Sequence, residues 1–234
     1  MATNTKTKTK KTDPTDLIFL AAILYFSQFI ENIFHDLIQW TPLIDVVPLG
    51  NTWWTLILRV LCVAAWIGVL YLIVKSSRKC GYDPIERVSG VKMLEWAAPL
   101  AVAVLFVAYF ILSDGGLSVL WAKLTNMGGV VGTISYPIFL AAQVAIMVTV
   151  IALSQKGFEL LLPKASKYIP FGGIFLGVCM TVVNLISGLS SGSVDVLVIL
   201  FILLIQTIYG VVYTLAGRRA ILAFPFIYVM FFIL

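Results

Sequence analysis

A chain of 234 residues that is 61% hydrophobic and only 12% charged cannot hide its apolar surface in one water-surrounded core, because soluble domains are about 45–50% apolar and about 25% charged. With a mean hydropathy of +1.03 lipid has to be the solvent, which excludes a water-soluble enzyme or binding module. The net charge of +5 comes mostly from basic residues flanking apolar runs, where such charges act as topology signals and lipid-headgroup contacts, so no nucleic-acid partner is read from it.

Residues 1–15, MATNTKTKTKKTDPT, carry four lysines and almost nothing apolar, and are expected to form a disordered basic cytoplasmic tail. No signal-peptide cleavage site follows, so the first span is expected to stay as an anchor, with Asp16 capping its start. Residues 16–234 read as one all-α domain, a polytopic transmembrane helical bundle. Since a span needs about 20 apolar residues, about seven spans are expected, near 16–38, 53–74, 93–112, 134–153, 171–188, 195–215 and 220–234. Basic residues alternate between the connections: Lys6 to Lys11 in the tail, none in 39–52, Lys75, Arg78, Lys79, Arg87 and Lys92 in 75–92, and only Lys123 in 113–133. Lys156, Lys164 and Lys167 follow in 154–170, none in 189–194, then Arg218 and Arg219. The positive-inside rule then places the amino terminus in the cytoplasm. Trp40, Trp53, Trp54 and Trp121 fall at the outer interface and Trp96 at the inner one.

The last stretch, Ala220–Leu234, reaches about 22 Å at 1.5 Å per residue, short of a hydrocarbon core of about 30 Å. A thinned bilayer, a covering partner or a natural chain running past Leu234 would each accommodate it.

Intramembrane polar residues mark places to look for function. In the first span Gln28, Glu31, His35 and Gln39 recur at helical spacing beside Asn32 and Asp36. Glu31 and His35 are one turn apart, either a proton-handling pair or part of a polar face packed on neighbouring helices or a partner. His35 is the only histidine, and no Cys/His cluster has metal-ligand spacing, so neither a metal nor another cofactor is expected. Arg59 is expected either to pair with Glu31 or Asp36 or to extend its side chain toward the outer headgroups. Gln143, Asn184 and Gln206 are isolated amides expected to hydrogen-bond between helices, and Gly172, Gly173 and Gly177 to allow close helix approach. Cys62, Cys80 and Cys179 are scattered and form no disulfide framework.

The stretch SQKGFELLLPKASKYIP (154–170) is a compact polar cluster between two apolar runs. A Ser154–Lys156 dyad fails because residues two apart point away from each other on a helix. His35 lies on the opposite membrane side from Ser154, which leaves no serine triad.

Residues 75–234 resemble the CPBP family, the CAAX-processing and bacteriocin-processing intramembrane proteases. The resemblance lies in the basic loop KSSRKCGYDPIERVSGVKMLEW, the cluster SQKGFELLLPKASKYIP, the helix FGGIFLGVCMTVVNLI and the closing segment TIYGVVYTLAGRRAILAFPFIYVMFF. It implies a helical hydrolase with paired glutamates followed by Phe-Arg, then FxxxH and HxxxN motifs. This chain carries Ser154 and Gln155 where the glutamates would stand, Phe158 at the Phe, Glu159 for the Arg, Asn184 near the second-motif histidine, and Phe226 and Met230 at the third. A general base needs an ionisable acceptor that these side chains lack.

The expectation is therefore a degenerate CPBP-like protein without catalytic residues, a pseudoenzyme of a prokaryotic plasma membrane. It would work as scaffold, chaperone or regulatory subunit for another integral membrane or envelope protein, or by self-association. Gln28, Glu31, His35, Asp36 and Arg59 form the candidate partner face. The alternatives are a transport subunit, such as a small permease or an immunity-type exporter domain, and an active intramembrane protease.

Overall fold

The computed structural model describes residues 12–31, 33, 52–86, 90–113, 129–165 and 169–234. Among the described residues all regular structure is helical. Helix α1 spans Pro14–Phe26, and the residue that caps it is Asp13, not Asp16: Asp13 Oδ1 accepts the Thr15 amide at 2.9 Å, with Pro14 opening the helix. A proline at that position gives up an amide that would have no partner anyway. Asp16 instead lies in the first turn, where its charge complements the helix dipole.

A tight 3-10 turn, Ser27–Phe29, follows α1. Ser27 Oγ donates to the Leu24 carbonyl at 2.6 Å, and Trp66 Nε1 donates to the Ser27 carbonyl at 2.9 Å. Gln28 lies within this turn and Glu31 just beyond it. Asn32, His35, Asp36 and Gln39 lie outside the described residues, as do Trp40 and Trp121.

The remaining helices are α2 (Thr52–Lys79), α3 (Met93–Ser113), α4 (Gly129–Leu161), α5 (Phe171–Ser191), α6 (Val196–Leu215) and α7 (Ala220–Ile233). Five of them, α2 to α6, are long and apolar enough to cross a membrane, while Pro14–Phe29 and α7 are shorter apolar segments. Several expected boundaries move. Helix α2 runs on from residue 74 to Lys79, with Arg78 and Lys79 in its last turn, where cations complement the dipole. Helix α4 does not stop at 153 but continues to Leu161, so Ser154 to Glu159 are helical and not part of a loop.

Helix α4 is the axis of the bundle. It packs against α1, α2, α5 and α7, and 67% of its spanning window is buried against 11% for α3. Helices α5 and α6 pack closely, crossing where Gly173 faces Gly210: a β-carbon on Gly173 would stand 2.7 Å from the Gly210 Cα. Small residues at such a crossing bring backbones together in lipid, where packing replaces the hydrophobic drive. Helix α7 fits against α3, α4 and α6 and buries Phe226, Ile227 and Met230.

The outside is apolar. Leu94, Leu105, Leu112, Leu189 and Leu197 are each at least 70% exposed, a surface suited to acyl chains and not to water.

Candidate functional site

One end of the bundle gathers the polar residues of four connections. The start of α1 approaches the end of α2, with Cys80 Sγ 3.9 Å from Asp16 Oδ2. The loop after α2 reaches α4, where the Tyr82 hydroxyl lies 3.4 Å from the Ala152 carbonyl. The turn between α6 and α7 meets the end of α4 and the start of α3 through Arg218–Glu159 and Arg219–Glu95 pairs. The basic connections thus share one end, as the charge alternation in the sequence requires.

Ser154 and Gln155 lie at the centre of this end and are almost fully buried. Ser154 Oγ donates back to the Val150 carbonyl at 2.6 Å, a bond within its own helix. Gln155 links α4 to α5: its Oε1 accepts the Gly172 amide at 2.9 Å, and its Nε2 lies 3.4 Å from the Ile169 carbonyl. The first amides of a helix have no partner within it, and α5 begins at Pro170–Phe171 with no cap from its own N-cap side chain. A carboxamide from another helix fills that role, accepting with its oxygen and offering its nitrogen to the preceding carbonyl. A carboxylate would be an acceptor only. Phe158 stacks on Phe171 at 5.2 Å, closing the same junction with an aromatic pair.

Glu159 is held from two sides. Arg218 Nη1 stands 2.8 Å from Oε1 and Lys156 Nζ 3.8 Å from Oε2. Gly217 and Arg218 are consecutive left-handed residues, φ 67° and 61°. That conformation is disfavoured for arginine; here the Arg218 amide donates to the Tyr213 carbonyl at 3.0 Å while its side chain meets Glu159. A β-carbon on Gly217 would lie 3.0 Å from the Glu95 carboxyl carbon, so the glycine also lets Glu95 close on the turn. Arg219 Nη1 is 3.5 Å from Glu95 Oε2, an ion pair by distance whose buried nitrogen makes no hydrogen bond. Trp96 packs edge-on against Phe226 at 5.6 Å beside this pair.

Tyr82 completes the junction. Burial pushes its phenol above the ordinary tyrosine range, a hydrogen bond with Tyr213 partly offsets that, and the charges of Glu159, Asp83 and Glu86 push it further up. Neither Tyr82, in the basic connection 75–92, nor Tyr213, within the expected span 195–215, stands out in the sequence. Arg218 and Arg219 had stood only for topology.

The other expected positions are not brought here. Asn184 is exposed, and its Nδ2 donates to the Met180 carbonyl of its own helix at 2.9 Å, which corrects the expected interhelical bond. Phe226 and Met230 are core residues. Gln206 is buried with its Oε1 making no hydrogen bond, so the expected interhelical bond does not engage that oxygen.

At the far end, Gln28 is half-buried and its Nε2 makes no hydrogen bond, while Glu31 is exposed. Arg59 turns toward α4: Nη1 donates to Ser135 Oγ at 2.9 Å, and the guanidinium lies 5.2 Å from the centre of the Tyr136 ring. Among the described residues no group of three or more His, Cys, Asp or Glu could hold a metal ion.

Fold and surface together define a multi-pass, all-helical membrane protein with a cross-braced polar junction at one end. No known protein family, curated protein or solved structure matches the chain.

Proposed function

We propose that the chain is a non-catalytic, CPBP-like membrane protein that works through its surface, as scaffold, chaperone or regulatory subunit of another membrane or envelope protein. Its amino terminus lies in the cytoplasm, and the membrane is the plasma membrane of a prokaryote. The observation that carries this reading is Gln155. At the position where the resemblance expects a water-activating glutamate stands an amide committed to holding α5 on α4. Its neighbour Ser154 donates to its own helix, and Glu159, one turn further along α4, is engaged by Lys156 and Arg218. With reactive groups assigned to bracing, the surface remains as the working part.

The test is extraction of the tagged protein in a mild detergent, followed by quantification of whatever co-elutes. A stoichiometric membrane or envelope companion, or a defined homo-oligomer, is the expected result. A lone monomer that cleaves membrane peptides, with cleavage abolished by Glu159→Gln, would replace this reading with the protease.

A further inference from the structure

Arg59 lies at the mouth of an apolar groove between α2 and α4. The groove has a volume of about 490 Å³, within the range of about 300–1,000 Å³ typical of small-molecule sites. Val60, Ala64 and Ile67 line it from α2 and Ile134 and Ile138 from α4, with Ser135 beside the guanidinium. All five aliphatic side chains are exposed at the bundle surface, so the groove opens to lipid.

Depth fixes what Arg59 can meet. Along α2 the guanidinium stands roughly 20 residues from Lys79, about 30 Å at 1.5 Å per residue, which matches the hydrocarbon thickness. With Lys79 at one headgroup layer, Arg59 is at the other, and the groove runs from it toward the bilayer centre. A guanidinium has five N–H donors in a planar fork suited to phosphate. Here one nitrogen is engaged by the Ser135 hydroxyl, and the Tyr136 ring supports the cation through its face. Both neighbours are neutral, and among the described residues no carboxylate lines the groove to receive the ammonium of a zwitterionic headgroup.

We propose that this groove binds one glycerophospholipid with a net-negative headgroup, its phosphate on Arg59 and one acyl chain along Val60, Ala64 and Ile67. Ser135 and Tyr136 hold the guanidinium in place for it. The site is separate from the junction at the opposite end and does not depend on the scaffold reading.

Native mass spectrometry of the detergent-purified protein, supplied with phosphatidylglycerol or with phosphatidylcholine of identical chains, tests this. The wild type is expected to retain one phosphatidylglycerol, with roughly tenfold preference over phosphatidylcholine, which has the same phosphate but would bring its choline cation beside the guanidinium. Arg59→Gln should erase the preference, Arg59→Lys should keep most of it, and Ala64→Phe, which fills the groove, should lower retention of both lipids. Equal retention of the two lipids by the wild type overturns the proposal without any variant having to fold. So does a preference that survives Arg59→Gln, or a second copy or companion protein found holding the groove in place of lipid.

Discussion

The two ends of this bundle use charged residues in opposite ways. At the basic end Glu159, Lys156, Arg218, Glu95 and Arg219 answer one another across α3, α4 and the turn into α7, and Gln155 closes the start of α5. At the far end, among the described residues, Arg59 is supported by a hydroxyl and an aromatic ring, at the mouth of an apolar groove. The polar cluster most suggestive of chemistry is therefore largely engaged in bracing, with Ser154 and Gln155 buried and bonded, while Arg59 stands at a groove that opens to lipid. Density of polar residues is a poor guide to reactivity in a membrane bundle, because a buried polar group there has to find a partner or carry the full cost of desolvation.

Substitutions can break the inward end in graded steps. The largest effect is expected at the α5–α6 crossing that supports it: Gly173→Val forces a side chain against the Gly210 backbone and should cost about 3 kcal/mol, the upper part of the usual overpacking range. Gly68→Ala is its control, since nothing lies within 4 Å of a β-carbon there, and a helical Gly→Ala change gains up to about 1 kcal/mol. Thermal midpoints in one detergent, falling for the first and holding or rising for the second, would bear this out.

A smaller effect is expected from the Glu159–Arg218 pair. Glu159 and Arg218 side chains are 17% and 33% exposed, so after solvent screening their coupling should be about 1 kcal/mol or less. A double-mutant cycle of Glu159→Gln and Arg218→Gln reads that coupling directly. A value of zero would reduce the pair to a surface contact and weaken the contrast between the two ends.

The smallest effect concerns pH. Because Tyr82 is raised above the ordinary tyrosine value near 10, the folded state holds its proton more tightly than the unfolded state. The resulting stability is complete below about pH 10 and declines as pH rises through the folded-state value. Tyr82→Phe should therefore flatten the fall in thermal midpoint above pH 10 and leave the slope at neutral pH unchanged.

Much of this architecture was legible because hydropathy and basic charge act residue by residue: five long spans and the common end of the basic connections follow from local composition. The extension of α4 to Leu161 was legible too, but was obscured by polarity. Gln155, Lys156, Glu159 and Leu160 are all good helix formers, and the first strong stop is Pro163, whose ring disfavours helix in the residue before it. Asp13 was likewise readable, since an aspartate followed by proline is a strong helix start. What could not be read is pairing across long separations. Nothing local to Arg59 points to Ser135, nothing local to Glu159 points to Arg218, and nothing local to Gln155 indicates that α5 lacks a cap of its own. Those partners depend on how the helices pack.

The central claim is that the Ser154–Glu159 segment braces the fold and does not perform chemistry, and the thermal midpoint of Gln155→Ala in detergent tests it most directly. Removing the amide leaves the Gly172 N–H without its partner and should lower stability by about 1–2 kcal/mol. Residues kept for catalysis are often held at the expense of stability, so an unchanged or raised midpoint would contradict the account.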